Sequence, residues 1–517
     1  MTKSIKLLSS ILLTTLLSTT LSSCSPADND STNLSTPLYQ AQSANKGFLT
    51  ARNFEETGRT VIKVQYTDKK QLTTLNDLGM DVWTVESNYA IGQVAKGLLD
   101  RIRRTNLKIE MLSPKEGFSA KNVFDSGYHT YDTMLAELKA VTAKYPNLAK
   151  LSDIGKTWET VKGKADRRLW AVQITGKGQG SDKPGIVFFG NHHAREIATV
   201  EIPLKLISHL LENYGKDADI TNMVDSTEIW IVPMVNPDGH TLAEKGDNWR
   251  KNKDDNKDVS ANAGLGVDLN RNYGHQWNTG GSSNDTNSDT YHGKAAFSEP
   301  ETQATRDFMN AHKNLKVMMS YHSFSNLILW PWGWSNNGTP DAAKFSAIGN
   351  KLGAMSGYKP EQSSQLYIAS GITDDYSYGV LKMMSFTTEM GTWDDGFDPP
   401  YSKVAQFWKE NLPNALYMIK IANGTNSAFG PDINKITKNN TNGFTATFDK
   451  PYPNDVAKIE YFVDKVGNPG TGNIVDVDRS NKSVSFNINQ KSAGNMVYVR
   501  AQGTDGKWGT LSSSFLK

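Results

Sequence analysis

The chain has 517 residues, a formal net charge of +2 and a hydrophobic fraction of 38%. That length suits two to four domains, each with apolar residues enough for a core of its own. A near-neutral charge balance gives no reason to expect a nucleic-acid partner, because such proteins carry clustered basic faces.

The N-terminus reads as a targeting segment. Lys3 and Lys6 precede an apolar run from Leu7 to Leu21 that is interrupted by Ser and Thr and is short for a membrane span. It ends in Leu21-Ser22-Ser23-Cys24, and Cys24 is the only cysteine. This segment resembles the lipobox of bacterial lipoproteins. The resemblance implies removal of residues 1–23, lipidation of Cys24, and an exported protein held at a membrane or cell surface by a polar tether, 24–47. An ordinary secretory signal with an incidental cysteine is the alternative. With one cysteine there is no intramolecular disulfide, and acylation makes the membrane contact an anchor rather than a span.

Residues 48–115 read as a small α/β unit. Thr60 to Tyr66 alternates like a strand, Lys70 to Leu78 is helical, and Val82 to Val85 and Ala90 to Ala95 are short strands. Leu98 to Arg104 is helical and Leu107 to Leu112 returns as a strand, followed by the linker Ser113 to Lys121. The longest block, 126–424, opens with an amphipathic helix from Tyr131 to Tyr145, stopped by Pro146. Apolar strands then alternate with helical stretches: Leu169 to Ile174, Gly185 to Phe189, Glu228 to Pro233 and Val317 to Tyr321. Such alternation predicts a layered α/β sheet with catalytic loops at strand ends. Ser298-Glu-Pro-Glu301 has the spacing of a capping box, and Asn278 to Thr290 is a loop too polar to be buried. From Phe429 onward, short alternating strands separated by turn residues predict an all-β sandwich over 429–517.

The chemistry concentrates in the α/β block. His193-Ala-Arg-Glu196 directly follows the apolar run Gly185 to Gly190, which places an imidazole and a carboxylate three residues apart at a strand end. That pair can share one Zn²⁺, and a third ligand would come from a separate strand end, where His322 closes Val317 to Tyr321. The histidines at 129, 192, 209, 240, 275, 292 and 312 read as structural.

Seven segments then occur in order: Asn191-His-His-Ala-Arg-Glu196, Asn248-Trp-Arg250-Lys, Gly266-Val-Asp-Leu-Asn270-Arg271-Asn-Tyr, Phe297-Ser-Glu-Pro-Glu301, Tyr321-His322-Ser-Phe-Ser, Leu366-Tyr367-Ile-Ala-Ser-Gly371 and Ser385-Phe-Thr-Thr-Glu389. Together they resemble the zinc carboxypeptidases of the pancreatic A/B type. The resemblance implies a mixed, eight-stranded α/β sheet flanked by helices, preceded by an activation-like prodomain and followed by the sandwich. It implies that His193, Glu196 and His322 hold one Zn²⁺ and that Asp268 receives the far N–H of His193. Glu389 corresponds to the general base and Arg250 to the residue that stabilises the oxyanion. Asn270, Arg271 and Tyr367 correspond to the clamp on the free carboxylate of a peptide or protein substrate.

The resemblance extends to side-chain preference. Asp374, seven residues after Tyr367, falls where B-type members place the acidic floor of the pocket, which implies release of C-terminal Lys or Arg. Alternatively Asp374 caps the helix that follows it. Ile197 and Phe324 depart from the family's Trp and Tyr. The N-terminal unit, 48–115, is expected to cover the cleft until an activating protease cuts near Arg103-Arg104, Lys115 or Lys121; a permanent spacer is the alternative. The sandwich either stabilises the enzyme or binds glycan or protein. An amidase acting on peptidoglycan stem peptides and an inactive surface-binding protein are the competing functions. Retention of the whole clamp disfavours the first, and retention of Glu389 and every metal ligand disfavours the second.

Overall fold

The computed structural model describes residues 58–112, 127–177, 183–448, 455–488 and 495–517. The signal segment, Cys24, the tether and the linker lysines Lys115 and Lys121 lie outside the described residues.

The N-terminal unit runs β1 (Arg59–Gln65), α1 (Lys70–Asp77), β2 (Met80–Val85), β3 (Tyr89–Ala95), α2 (Lys96–Arg103) and β4 (Ile109–Met111). Its antiparallel sheet has the order β2-β3-β1-β4. Leu72, Leu75, Leu98 and Ile102 of the two helices pack on Ile62 and Val64 of the sheet. Strand β2 carries a bulge: Val82 pairs with Gly92 and Thr84 with Ile91, leaving Trp83 as the extra residue. Only glycine fits at position 92, where a Cβ would lie 2.2 Å from the Asp81 carbonyl oxygen. Arg103 ends α2 and β4 still follows it, so the Arg103-Arg104 pair lies inside this unit rather than in a linker.

The central block contains α3 (Tyr131–Lys144), β5 (Ala149–Lys156), β6 (Arg168–Ile174), β7 (Gly185–Phe189), α4 (Ala198–Asn213), α5 (Ala218–Ser226), β8 (Glu228–Val232), α6 (Pro237–Ala243), α7 (Pro300–Ala311), β9 (Leu315–His322), β10 (Leu327–Trp330), α8 (Ala342–Ser356), β11 (Lys359–Gln362), α9 (Thr373–Gly379), β12 (Met384–Glu389) and α10 (Val404–Ala422). The eight strands form one mixed sheet in the order β11-β10-β12-β9-β7-β8-β6-β5. Its centre, β12-β9-β7-β8, is parallel. Every residue of β7 is buried, as expected for a strand covered on both faces. Ile186 and Phe188 enter the core under α4, α8 and α10, whereas Val187 and Phe189 enter the opposite one with Phe308 and Tyr376. This two-residue alternation lets one short strand tie both layers together.

The sequence-based expectation of a capping box at Ser298 fails. The cap position of α7 is Glu299, with no side-chain cap bond. The Ser298 hydroxyl instead donates to Glu299 Oε1 (2.6 Å), and Glu301 accepts from the Trp158 N–H (2.8 Å) and the Asn252 amide (3.2 Å). Interior partners outcompete the local motif. The tract Asn278 to Thr290 is likewise less exposed than its polarity suggests. Ser282, Ser283, Ser288, Asp289 and Thr290 are buried, with Asp289 held by Arg59 and Gln93 of the N-terminal unit.

The C-terminal part is two antiparallel sheets, β13-β14-β17 and β16-β15-β18-β19, built from β13 (Ile433–Lys438), β14 (Gly443–Phe448), β15 (Val456–Val463), β16 (Asn473–Asp476), β17 (Ser483–Asn487), β18 (Met496–Gly503) and β19 (Ser512–Phe515). Phe444, Phe486, Tyr461 and Val499 fill the space between them. Lys420 of α10 bridges to Asp219 of α5 (3.0 Å) and donates to Ser512 of β19 (3.0 Å), fastening the sandwich to the central block.

Candidate metal centre and substrate cleft

The cleft opens beyond the carboxyl ends of the parallel strands, where an open α/β sheet places its ligands. After β7 the chain turns at Asn191, whose φ of 55° asparagine tolerates better than most residues. The Asn191 amide donates to the carbonyls of His193 (3.1 Å), Ala194 (3.3 Å) and Glu196 (3.4 Å), so one side chain braces the whole His-x-x-Glu turn. His322 ends β9 and Glu389 ends β12, and these two residues are register partners on adjacent parallel strands.

His193, Glu196 and His322 are all buried and offer ligand atoms within 4.8 Å of one another, making them the one such group among the described residues. His193 Nδ1 lies 2.7 Å from Glu196 Oε1, His322 Nδ1 lies 3.0 Å from Glu196 Oε2, and the two Nδ1 atoms are 3.1 Å apart. Two imidazole nitrogens and a carboxylate converging on one point form a donor set that suits Zn²⁺. Burial alone would raise the Glu196 carboxyl, but the two histidines together bring it below the usual carboxylate range.

Behind this corner, Asp268 Oδ1 lies 3.2 Å from His193 Nε2, while Oδ2 accepts from Arg250 Nε (2.9 Å) and sits 2.8 Å from its Nη2. Asp268 is completely buried, yet Arg250, His193 and Arg271 hold it well below its ordinary value against that burial. It orients the ligand imidazole and tethers the arginine at once. On the other side of the corner, burial and the charge of Glu196 raise the Glu389 carboxyl well above its usual range.

Asn270 and Arg271 extend the cleft. Asn270 Oδ1 accepts from the Thr373 N–H (2.9 Å) and hydroxyl (2.9 Å) at the start of α9, tying the two loops together. Arg271 is buried and donates Nη1 to the Asn270 carbonyl (2.8 Å), while its Nε has no protein partner. Gly371, at φ +71°, lets the Tyr367 loop pass over Arg271; a Cβ there would lie 2.3 Å from the Arg271 carbonyl oxygen. Tyr367 is half-buried and packs against the core of the N-terminal unit.

Asp374 and Asp375 point into different surroundings. Asp375 accepts from the N–H groups of Gly333 (3.0 Å) and Trp334 (3.0 Å), which braces a loop. Asp374 Oδ2 accepts from the Thr387 hydroxyl (2.7 Å), whereas Oδ1 is buried without a protein partner and Asp374 lines the cleft. The cap position of α9 is Ile372, so Asp374 is not a helix cap.

The N-terminal unit roofs this cleft. Asp81 and Trp83 of β2 line it from above, and Trp83 packs edge-on against Phe397 with ring centroids 5.5 Å apart. Phe324 joins the same apolar cluster. Asp81 Oδ2 lies 2.6 Å from Arg195 Nη2, and Asp81 Oδ1 lies 3.6 Å from Arg250 Nη1. Beneath the roof a cavity of about 80 Å³ remains. Sites for drug-sized ligands span roughly 300–1,000 Å³, so no peptide fits there. Arg195, Asp81 and Trp83 join the site although no motif in the sequence assigns them a role. Arg195 lies between the two ligand positions of the His-x-x-Glu motif, and Asp81 is the one charged residue of β2.

A buried two-histidine, one-carboxylate corner beside a second carboxylate and a tethered arginine defines a hydrolytic zinc enzyme of the open-site kind. Comparison with known proteins narrows the class. A family model described as zinc carboxypeptidase matches residues 134–414. The chain is 34% identical over 298 residues to a zinc carboxypeptidase of Saccharothrix mutabilis subsp. capreolus, covering 55% of this chain and 66% of that protein. It is 31% identical over 408 residues to metallocarboxypeptidase A of Trichophyton rubrum, covering 71% and 94%. The crystal structure of carboxypeptidase A from Helicoverpa armigera superposes with a TM-score of 0.61 at 25% identity, covering 71% of this chain and 98% of that one.

The chain belongs to the zinc carboxypeptidase family. It is a zinc-dependent metallocarboxypeptidase that hydrolyses peptide bonds, on the mixed-sheet fold its motifs imply. Bound zinc supplies Lewis acidity toward an oxygen and makes water a better nucleophile near neutral pH.

Proposed function

We propose that the enzyme removes C-terminal Lys and Arg from peptides and proteins. One observation carries the preference: the buried Asp374 carboxylate on the cleft wall, with one oxygen held by Thr387 and the other without a protein partner. A buried carboxylate left half-satisfied is costly, and a Lys or Arg side chain from the substrate supplies the missing partner. Two of the three relatives described above carry carboxypeptidase A in their names, so the basic preference rests on Asp374 of this chain.

In this reading Arg271 grips the terminal carboxylate through paired N–H bonds, Asn270 adds a donor, and Tyr367 closes over it. Glu389 takes a proton from the attacking water and returns it to the leaving amine. Arg250, held in place by Asp268, stabilises the charge that develops on the scissile carbonyl oxygen. The N-terminal unit covers the cleft until it is cut away between Leu112 and Gly127, and Cys24 carries the lipid of an exported, membrane-anchored protein.

The test is the rate of hydrolysis, by the full chain cut in that segment, of matched peptides ending in Arg, Phe or an Arg amide. Arg is expected to exceed Phe by about tenfold or more, consistent with one desolvated charge pair. Asp374→Val is expected to reverse that order, and the amide is expected to turn over poorly. Faster release of Phe by the unaltered enzyme overturns the basic preference, and equal turnover of the amide overturns the clamp.

A further inference from the structure

His192 stands beside the ligand His193 in the chain but meets a different set of partners. It is completely buried, and the Asn236 amide holds its carbonyl (3.1 Å). Its ring lies nearly parallel to that of the ligand His322, at 17° with centroids 5.6 Å apart, and edge-on to Phe189 at 5.8 Å. Its Nε2 lies 3.2 Å from the Thr373 hydroxyl and 3.0 Å from that of Tyr273, and its Nδ1 lies 3.4 Å from the Ser320 hydroxyl. These partners all belong to the central block, so cutting away the N-terminal unit removes none of them. The direction of the bonds is set by the groups beyond. Thr373 gives its one hydroxyl proton to Asn270 Oδ1 (2.9 Å), and Thr305 gives its own to the Thr302 carbonyl (3.1 Å), which leaves Tyr273 to donate to Thr305 (2.8 Å). Both oxygens facing Nε2 are therefore acceptors. The ring proton sits on Nε2, and Nδ1 accepts from Ser320.

We propose that His192 is a positioning residue with two separable duties. Its ring face backs the imidazole of His322 and limits its rotation, at a centroid spacing where aromatic rings attract. Its N–H holds the Thr373 hydroxyl in the orientation that donates to Asn270. Because Asn270 Oδ1 accepts from both the N–H and the hydroxyl of Thr373, Nδ2 is what remains for Asn270 to offer the cleft it lines. One imidazole thus sets a metal ligand with its face and the carboxylate clamp with its edge. Phenylalanine at this position keeps the face without the edge, and glutamine keeps an N–H donor without the face. The clamp duty rests on the proposed reading of Asn270; the ring duty rests on the metal ligand alone.

The experiment uses the full chain cut between Leu112 and Gly127 and takes two readouts from each variant. One is the rate of zinc release to a chromophoric chelator; the other is KM for matched peptides ending in Arg or Arg amide. His192→Phe is expected to release zinc within about twofold of the unaltered rate, while the KM advantage of acid over amide falls about tenfold and kcat changes little. His192→Gln is expected to do the reverse, with zinc release faster by about tenfold and the acid–amide advantage kept within about threefold. Variants that move both readouts together, or neither, overturn the proposal. Should either variant not fold, Thr373→Val carries the test, because it takes the acceptor from His192 and the donor from Asn270 and leaves the ring pair alone. Faster zinc release, or an unchanged acid–amide advantage, then overturns it. An unaltered enzyme that treats acid and amide alike counts against the clamp itself, and zinc release in His192→Phe and His192→Gln still decides the ring duty.

Discussion

The metal corner and the substrate-facing walls are built from the same residue types on opposite principles. At the corner, charge is matched internally: Glu196 serves two histidines, Asp268 serves a histidine and an arginine, and Asn191 braces the turn between them. On the walls, buried polar atoms are left unmatched: Nε and Nη1 of Arg195, Nε of Arg271 and Oδ1 of Asp374. Each such atom costs about 1–3 kcal/mol unless a ligand or water completes it. Buried atoms without a partner occur elsewhere too, such as Trp230 Nε1 and Asn414 Nδ2, so it is the cleft position of Arg271 and Asp374 that fits the proposed reading in which a terminal carboxylate and a basic side chain complete them.

The contrast can be broken at the corner first. Glu389→Gln keeps shape and removes the proposed proton carrier, so kcat is expected to fall by about 10²–10⁴ with zinc still bound, checked by metal analysis beside steady-state rates. Asp268→Asn strikes the internal matching itself. Loss of the charge that orients His193 and restrains Arg250 is expected to weaken zinc binding by about 10–100-fold, measured by competition with a chelator. The walls respond more mildly and selectively. Thr387→Val strips Asp374 of its one hydroxyl partner and is expected to cost roughly tenfold in kcat/KM for Arg-ending peptides, with Phe-ending peptides little changed. The smallest effect is a pH profile. Burial raises the Asp374 carboxyl to about 7. An acid with a raised pKa is neutral below it and charged above, so the Arg:Phe selectivity ratio is expected to rise with pH through about 7 and flatten above. A ratio constant from pH 6 to about 8 would contradict that assignment.

How much of this was legible beforehand depended on the range of the interactions. His193 and Glu196 share one turn, so their pairing could be read from spacing alone. His322 and Glu389 could be read as strand ends, but their side-by-side placement is a matter of sheet register between segments 67 residues apart, counted from 322 to 389. Asp374 was visible as a position, whereas its bond to Thr387 depends on how α9 packs on β12. Arg195 was quoted within a motif without a role, because its partner Asp81 lies 114 residues away in another unit. The partial burial of the polar tract at 282–290 is hidden from the sequence for the same reason: local polarity says nothing about a roof supplied by distant chain. The edge strands β13 and β16 give a weak sequence signal because they carry polar residues, such as the lysines at 435 and 438, that discourage further pairing.

Because His322 and Glu389 are rungs of the same ladder, their separation is set by the inter-strand repeat of about 4.8 Å, not by any loop. The spacing from Glu389 to His322 is thus fixed by the sheet centre. Loops at the rim can lengthen, shorten or change composition, and retune what is cut, without altering the gauge at which it is cut. Heating should therefore blur selectivity well before it abolishes hydrolysis, since the rim frays at temperatures where the parallel centre still holds.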